Sequence, residues 1–249
     1  MRRSWIFVGT VAVAVVVAAV ILVPRVLDRV QHSGSWHADA GTTAPRPVIV
    51  PSVTTSPVTA TCTYLPAASG GALDRIPPVP PAHPTLGASI RVVLHTDAGD
   101  LVLDLAGARA PCTVNSFINL ARAHFYDDSP CHRLTTSALY VLQCGDPTGS
   151  GTGGPGYVFP DENLPAGNSY PRGTVAMANA GPATNGSQFF LVYRQSTIDP
   201  NYPVLGTIAS GLDILDRIAD EGTDEVNGPG DGHPNHGVMI TSVEIATSW

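Results

Sequence analysis

Reactive side chains are scattered through these 249 residues, yet the groupings most enzymes rely on are missing. There is no G-x-x-x-x-G-K-[ST] phosphate loop, no H-E-x-x-H and no G-x-S-x-G nucleophile elbow. Residues 149–156 are Gly-rich but lack the Lys and following helix of a phosphate cradle, so a flexible surface loop is expected there. Asp231, His233 and His236 could ligate a metal, but they stand among Gly and Pro without the fixed spacing of a metal site, and neither metal nor cofactor is expected. Asn185-Gly186-Ser187 is a formal glycosylation sequon. The four cysteines, Cys62, Cys112, Cys131 and Cys144, include no C-x-x-C, which removes the usual zinc and thioredoxin spacings. They allow three pairings. A hairpin between Cys131 and Cys144 favours joining those two and leaves Cys62 with Cys112; the alternative is four free, buried thiols.

A longer pattern carries more. Residues 177–190 read Met-Ala-Asn-Ala-Gly-Pro-Ala-Thr-Asn-Gly-Ser-Gln-Phe-Phe. Around them, in order, stand His132-Arg133, Gln143, Phe159, Asp161-Glu162-Asn163, and Asn201-Tyr202 leading to Gly206. The run closely resembles the signature of the cyclophilins, peptidyl-prolyl cis-trans isomerases, and the flanking residues keep the family's order. The resemblance covers the chain from about Ser89 onward and is similar in kind to membrane-anchored actinobacterial members. It implies an all-β fold, an eight-stranded antiparallel barrel capped by two helices. It implies that Arg133 is the catalytic arginine, and that Gln143, Ala178, Asn179, Ala180, Gln188 and Phe190 line the substrate groove. Tyr140, Val141, Ile198 and Tyr202 fall at the remaining pocket and rim positions. Phe159 and Asn163 fall at groove-side or supporting positions, and His132 is expected to be structural.

Such a reaction needs few reactive groups. Amide resonance sets a barrier of ~18–20 kcal/mol to rotation about an X-Pro bond, and no bond has to break to lower it. When the amide twists, its nitrogen lone pair becomes a hydrogen-bond acceptor. A guanidinium that donates to it, or holds the neighbouring carbonyl, stabilises the transition state more than the ground state. Phe190 would form the floor of an apolar proline pocket, with Gln143, Gln188 and the backbone near Asn179 orienting the peptide.

Departures from the family pattern bear on the rim. The segment between Arg133 and Gln143 is two residues longer than is usual, which puts Tyr140 and Val141 where Phe and Met are typical. Thr197 stands where many members carry Trp, and Tyr202 where many carry His. A cyclosporin-like ligand is therefore expected to bind weakly. The competing reading is a proline-binding chaperone or scaffold module with little isomerase activity.

The elements that would position these residues are legible in the apolar pattern. Strands are expected at 90–95, 101–105, 140–143, 174–178, 188–193, 204–208 and 238–245, with a tight turn at 97–100. Helices are expected at 113–124, with Val114, Phe117, Leu120 and Ala121 on one face, and at 212–220, with Leu212, Leu215, Ile218 and Ala219. Each has one apolar stripe, as a plug for the open end of a barrel would.

Upstream, residues 1–30 read as an anchor: 5–23 are uncharged and almost all apolar, long enough as a helix to cross a hydrocarbon core of ~30 Å. A slight charge bias favours a cytoplasmic N-terminus, which would put residues 89–249 outside the cell membrane, where disulfides persist. Residues 31–88, rich in Pro, Ser, Thr and Ala, read as a tether that Cys62 would pin to the domain. The net charge of −7 and the lack of any cluster of cations argue against a nucleic-acid partner. Every Lys/Arg position is Arg, which fits a GC-rich coding genome. A monomer acting on proline-containing polypeptides is the expected state.

Overall fold

Alternating apolar residues build the sheet. The computed structural model describes residues 57–67 and 76–246, all within one unit, Ser52–Trp249. Three two-residue strands come first, β1 (Val58–Thr59), β2 (Leu65–Pro66) and β3 (Thr85–Leu86). The hairpin β4 (Ile90–Thr96) and β5 (Leu101–Leu105) leads into α1 (Pro111–Arg122). Then come β6 (Ser129–Pro130), β7 (Arg133–Thr135), β8 (Val141–Cys144), β9 (Tyr157–Val158), β10 (Ser169–Tyr170), β11 (Thr174–Met177), β12 (Phe189–Val192), β13 (Ser196–Thr197) and β14 (Val204–Ser210). The chain closes with α2 (Leu212–Asp220), β15 (Asp231–Gly232) and β16 (Met239–Ile245).

Ten strands form one antiparallel sheet, ordered β15-β7-β8-β12-β11-β14-β5-β4-β16-β6. β6 and β7 lie at opposite ends of that order, yet only Cys131 and His132 separate them in the chain, so the sheet curls round until its two ends share one run of backbone. Ten strands stand where eight were expected because this run breaks at Cys131 and His132 and because β15 adds a short pair to β7. Inside the curl, Val92 and Leu94 of β4 and Leu101, Leu103 and Leu105 of β5 are buried, every second residue, as the period of a strand requires. α1 buries Val114, Phe117, Leu120 and Ala121 against this core, and α2 buries Leu215 and Ile218.

The N-terminus of α1 has Pro111 in its first turn and an N-cap residue, Ala110, with no side chain to cap it. Glu162, from the loop after β9, supplies one: its carboxylate accepts Cys112 N at 2.9 Å, Thr113 N at 2.9 Å and Thr113 Oγ1 at 3.0 Å. An anion at the positive end of a helix is favourable and fixes that loop to α1.

Part of the Pro-rich stretch is strapped onto the domain, by more than the single pin expected. β1 pairs with β3 and β2 with β9. Cys62 is bonded to Cys112 and its N–H donates to Ala82 O at 2.8 Å. The Tyr64 ring meets Tyr157 and Phe159 edge-on, and its hydroxyl, pushed up to about 12 by burial, donates to Cys112 O at 2.8 Å. Prolines have no N–H, so their carbonyls depend on outside donors. Asn115 and Asn119, neighbours on one face of α1, donate to Pro81 O at 2.9 Å and Pro78 O at 2.7 Å. The anchor expected at 1–30 and the rest of the tether, 31–56 and 68–75, lie outside the described residues. Among the described residues no helix is long and apolar enough to cross a membrane.

Candidate active site

The site is assembled by strand register. Arg133 of β7 faces Gln143 of β8, Gln143 faces Phe190 of β12, and Phe190 faces Ala176 of β11. Residues directly opposite share a face of a sheet, so these four form one row on the outside of the curl. Phe189 turns inward to the main core, whereas Phe190 joins a second apolar cluster with Val141, Tyr170, Ala176 and Val192. This cluster explains why all four residues of β11 and of β12 are buried: both faces are covered. Ala178, Ile198 and Tyr202 pack at its margin, and Tyr202 stands edge-on to Phe190 with ring centroids 5.6 Å apart.

Polar groups line one side of this patch. The half-buried Arg133 is held by Asp231 through two parallel bonds, Nε to Oδ1 at 2.8 Å and Nη2 to Oδ2 at 2.6 Å. Asp231 raises the Arg133 pKa, and the Arg133 guanidinium holds the Asp231 carboxyl below its usual range. Nη1 is turned to Gln143 Oε1 at 3.5 Å, the long limit of a hydrogen bond. Gln143 Nε2 donates to Gln188 Oε1 at 2.8 Å, and Gln188 Nε2 donates to Gly151 O and Gly153 O at 3.0 and 2.9 Å. Asn179 donates to Asn201 O at 2.9 Å and to Asn185 Oδ1 at 3.2 Å. From Gln143 and Gln188 a groove of about 400 Å³ continues past Ala178, Asn179 and Ala180.

Two expectations need correction, those for Tyr140 and for the Gly-rich loop. Tyr140 does not line the proline pocket: its ring packs on Tyr193 at 6.0 Å under Arg194 at 4.9 Å, because it precedes Val141 by one residue and so faces the other way. The Gly-rich loop is ordered. Buried Asp146 accepts Thr148 N and Oγ1, Ser150 Oγ and Gly153 N, which aims the Gly151 and Gly153 carbonyls at Gln188. Burial raises the Asp146 pKa, but these donors outweigh it and hold the carboxyl below its usual range. Gly145 opens the loop at φ +91°, where a side chain would run into Ser187 O. The trio weighed as metal ligands disperses: Asp231 goes to Arg133, His233 to Asp224 at 2.8 Å and His236 to Glu221 at 3.8 Å. The sequon residue Asn185 is fully buried and donates to Phe159 O and Asp161 Oδ1, so the folded chain does not offer it for modification.

The remaining residues are supports. Phe159 is core. Asn163 donates to Val204 O at 2.7 Å and fastens the Glu162 loop to β14. His132 is buried, with no hydrogen-bond partner for either ring nitrogen among the described residues, and burial lowers its pKa. Cys131 is bonded to Cys144, which ties the break before Arg133 to the residue after Gln143. Tyr170, unflagged in sequence, is buried under Phe190, and its hydroxyl donates to Tyr202 O and accepts Tyr202 N, both at 3.1 Å.

The structure thus shows a curled antiparallel sheet with two helical caps and, on its outer face, an apolar patch flanked by an arginine. The family of cyclophilin-type peptidyl-prolyl cis-trans isomerases matches residues 91–245, and the chain belongs to it. It is 53% identical over 173 residues to a probable peptidyl-prolyl cis-trans isomerase B of Mycobacterium tuberculosis, covering 64% of this chain and 56% of that one. The corresponding protein of Mycobacterium leprae is 46% identical over 197 residues, covering 74% of this chain and 66% of that one. The chain thus spans less than two thirds of the length of these relatives. A cyclophilin-type isomerase crystal structure from Cryptosporidium parvum superposes with a TM-score of 0.55 at 27% identity, covering 65% of this chain and 99% of that one. The same protein has been crystallised in the presence of the dipeptide Ala-Pro.

Proposed function

We propose that the domain is a peptidyl-prolyl cis-trans isomerase acting on exported or cell-envelope proteins. The observation that carries this is the row Arg133, Gln143, Phe190 across three paired strands, a cation and an amide beside an apolar floor. Phe190, Val141 and Tyr202 grip the proline ring. Asp231 occupies the Nε edge of Arg133, leaving Nη1 to reach the carbonyl and the pyramidalising nitrogen of the twisted amide. No proton needs to leave the protein. Two disulfides and the apolar run at 5–23 support a domain tethered outside the cell membrane. With Thr197 exposed at the rim, a cyclosporin-like ligand binds weakly.

The test is the cis-trans exchange rate of a short Ala-Pro peptide with the oxidised full chain. Acceleration at low enzyme concentration is expected. A second reading, a proline-peptide holder, draws on the same bidentate hold of Asp231, which partly neutralises Arg133. Tight peptide binding with exchange at the uncatalysed rate would select it.

A further inference from the structure

The seam where the curled sheet meets itself carries a second cavity, which shares no lining residue with the groove beside Gln143 and Gln188. About 280 Å³ in volume and open to solvent, it lies between Pro130, Cys131 and His132 of the run joining β6 to β7 and Gly237, Val238 and Met239 at the entry to β16. The two ends of the Cys131–Cys144 bond are therefore unlike: Cys131 lines this cavity, whereas Cys144 is fully buried and does not. Thiol–disulfide exchange needs a thiolate to reach one sulfur while the other leaves, so Cys131 is the end open to attack. What the bond holds is the row of Arg133 and Gln143. β7 has only three residues and begins at Arg133, two positions after Cys131, and the partner of Arg133 in the sheet, Gln143, immediately precedes Cys144. Gly145, the next residue, opens the loop whose Gly151 and Gly153 carbonyls fix Gln188.

We propose that Cys131–Cys144 is a thiol-exchange site through which a dithiol turns the isomerase down. The proposal rests on the isomerase reading. One thiolate of the dithiol attacks Cys131 Sγ, the S–S bond breaks, and Cys144 leaves as a thiolate that takes up a proton. The second thiol of the dithiol then displaces Cys131, so two electrons and two protons pass to the protein and the dithiol becomes a disulfide. The freed end of β7 lets Arg133 move from its place beside Gln143, a misplacement that acts on turnover more than on affinity.

The test treats the oxidised full chain, without denaturant, with dithiothreitol or with reduced thioredoxin, a protein dithiol, and reads the state of each bond by alkylation and mass. Reduction of Cys131–Cys144 by dithiothreitol alone assigns the site to small dithiols, and reduction by both extends it to a protein partner. Opening the bond is expected to lower kcat on a short Ala-Pro peptide about tenfold with KM within about two-fold, and reoxidation to restore it. Cys131→Ser with Cys144→Ser is expected to show the lowered rate and no further response, whereas Cys62→Ser with Cys112→Ser keeps the response. Gly237 has open space where a side chain would begin, so Gly237→Trp is expected to keep the oxidised rate while slowing reduction of the bond about tenfold. Full turnover with both thiols alkylated, or a bond that neither reagent opens before the chain unfolds, would overturn the proposal. If the oxidised wild type accelerates no peptide, the isomerase reading fails by itself. Hydrogen exchange then decides the switch: faster exchange of the amides of 133–135 and 141–144 on reduction upholds it, and unchanged exchange overturns it.

Discussion

In the proposed mechanism the Arg133 guanidinium has to be aimed, and Asp231, 98 residues away, holds it through a bidentate pair. Asp231→Asn keeps the shape but loses the charge-assisted fork, and turnover is expected to fall about tenfold with little change in peptide affinity. Unchanged turnover would mean that the pair is structural. Asp231 was visible in sequence only as part of a polar cluster, because nothing local ties it to Arg133. Tyr140 was misplaced for a related reason: a longer segment shifts strand parity, and one residue of shift turns a side chain to the other face. Phe190 and Gln188 stand in the ungapped run 177–190, and the sheet sets Phe190 opposite Gln143, which in turn donates to Gln188. His132 gives a pH signature. Burial lowers its folded pKa below the ordinary 6.5, so between those two values the unfolded chain binds the proton more readily. Stability is therefore expected to drop as pH falls below about 6.5, and His132→Leu should flatten that slope in thermal unfolding. His95, raised by Asp100, contributes the opposite slope in both proteins and cancels in the comparison.

At the scale of elements, the long strands and both helices followed from periodicity. α1 spans Pro111–Arg122 against an expected 113–124, and α2 spans Leu212–Asp220 as expected. The two-residue strands β1, β2, β3, β6, β9, β10, β13 and β15 left no trace, since two residues carry no period. The order in the Gly-rich loop was hidden because it depends on the buried carboxylate of Asp146, not on the glycines. The strap was half legible through Cys62. Removing its bond by Cys62→Ser with Cys112→Ser, across a separation of 50 residues, is expected to cost about 2–4 kcal/mol in denaturant unfolding. Asn115→Ala, which frees the Pro81 carbonyl and one partner of Tyr64, is expected to cost about 1–2 kcal/mol. Losses near zero in both would mean that the strap is held by neither.

At the scale of the whole molecule, two disulfides and an apolar N-terminal run are the observations on which the proposed extracytoplasmic placement rests. Protease added to intact cells is expected to reach the domain. A domain protected until the cells are opened would contradict an extracytoplasmic placement.

The central claim is that one cation beside an apolar pocket lowers the barrier to X-Pro rotation. The most direct test compares the exchange rate of a bound Ala-Pro peptide for wild type and Arg133→Ala, with affinity measured alongside. A loss of turnover of about a hundredfold at nearly unchanged affinity is expected. Turnover that survives the substitution would contradict it.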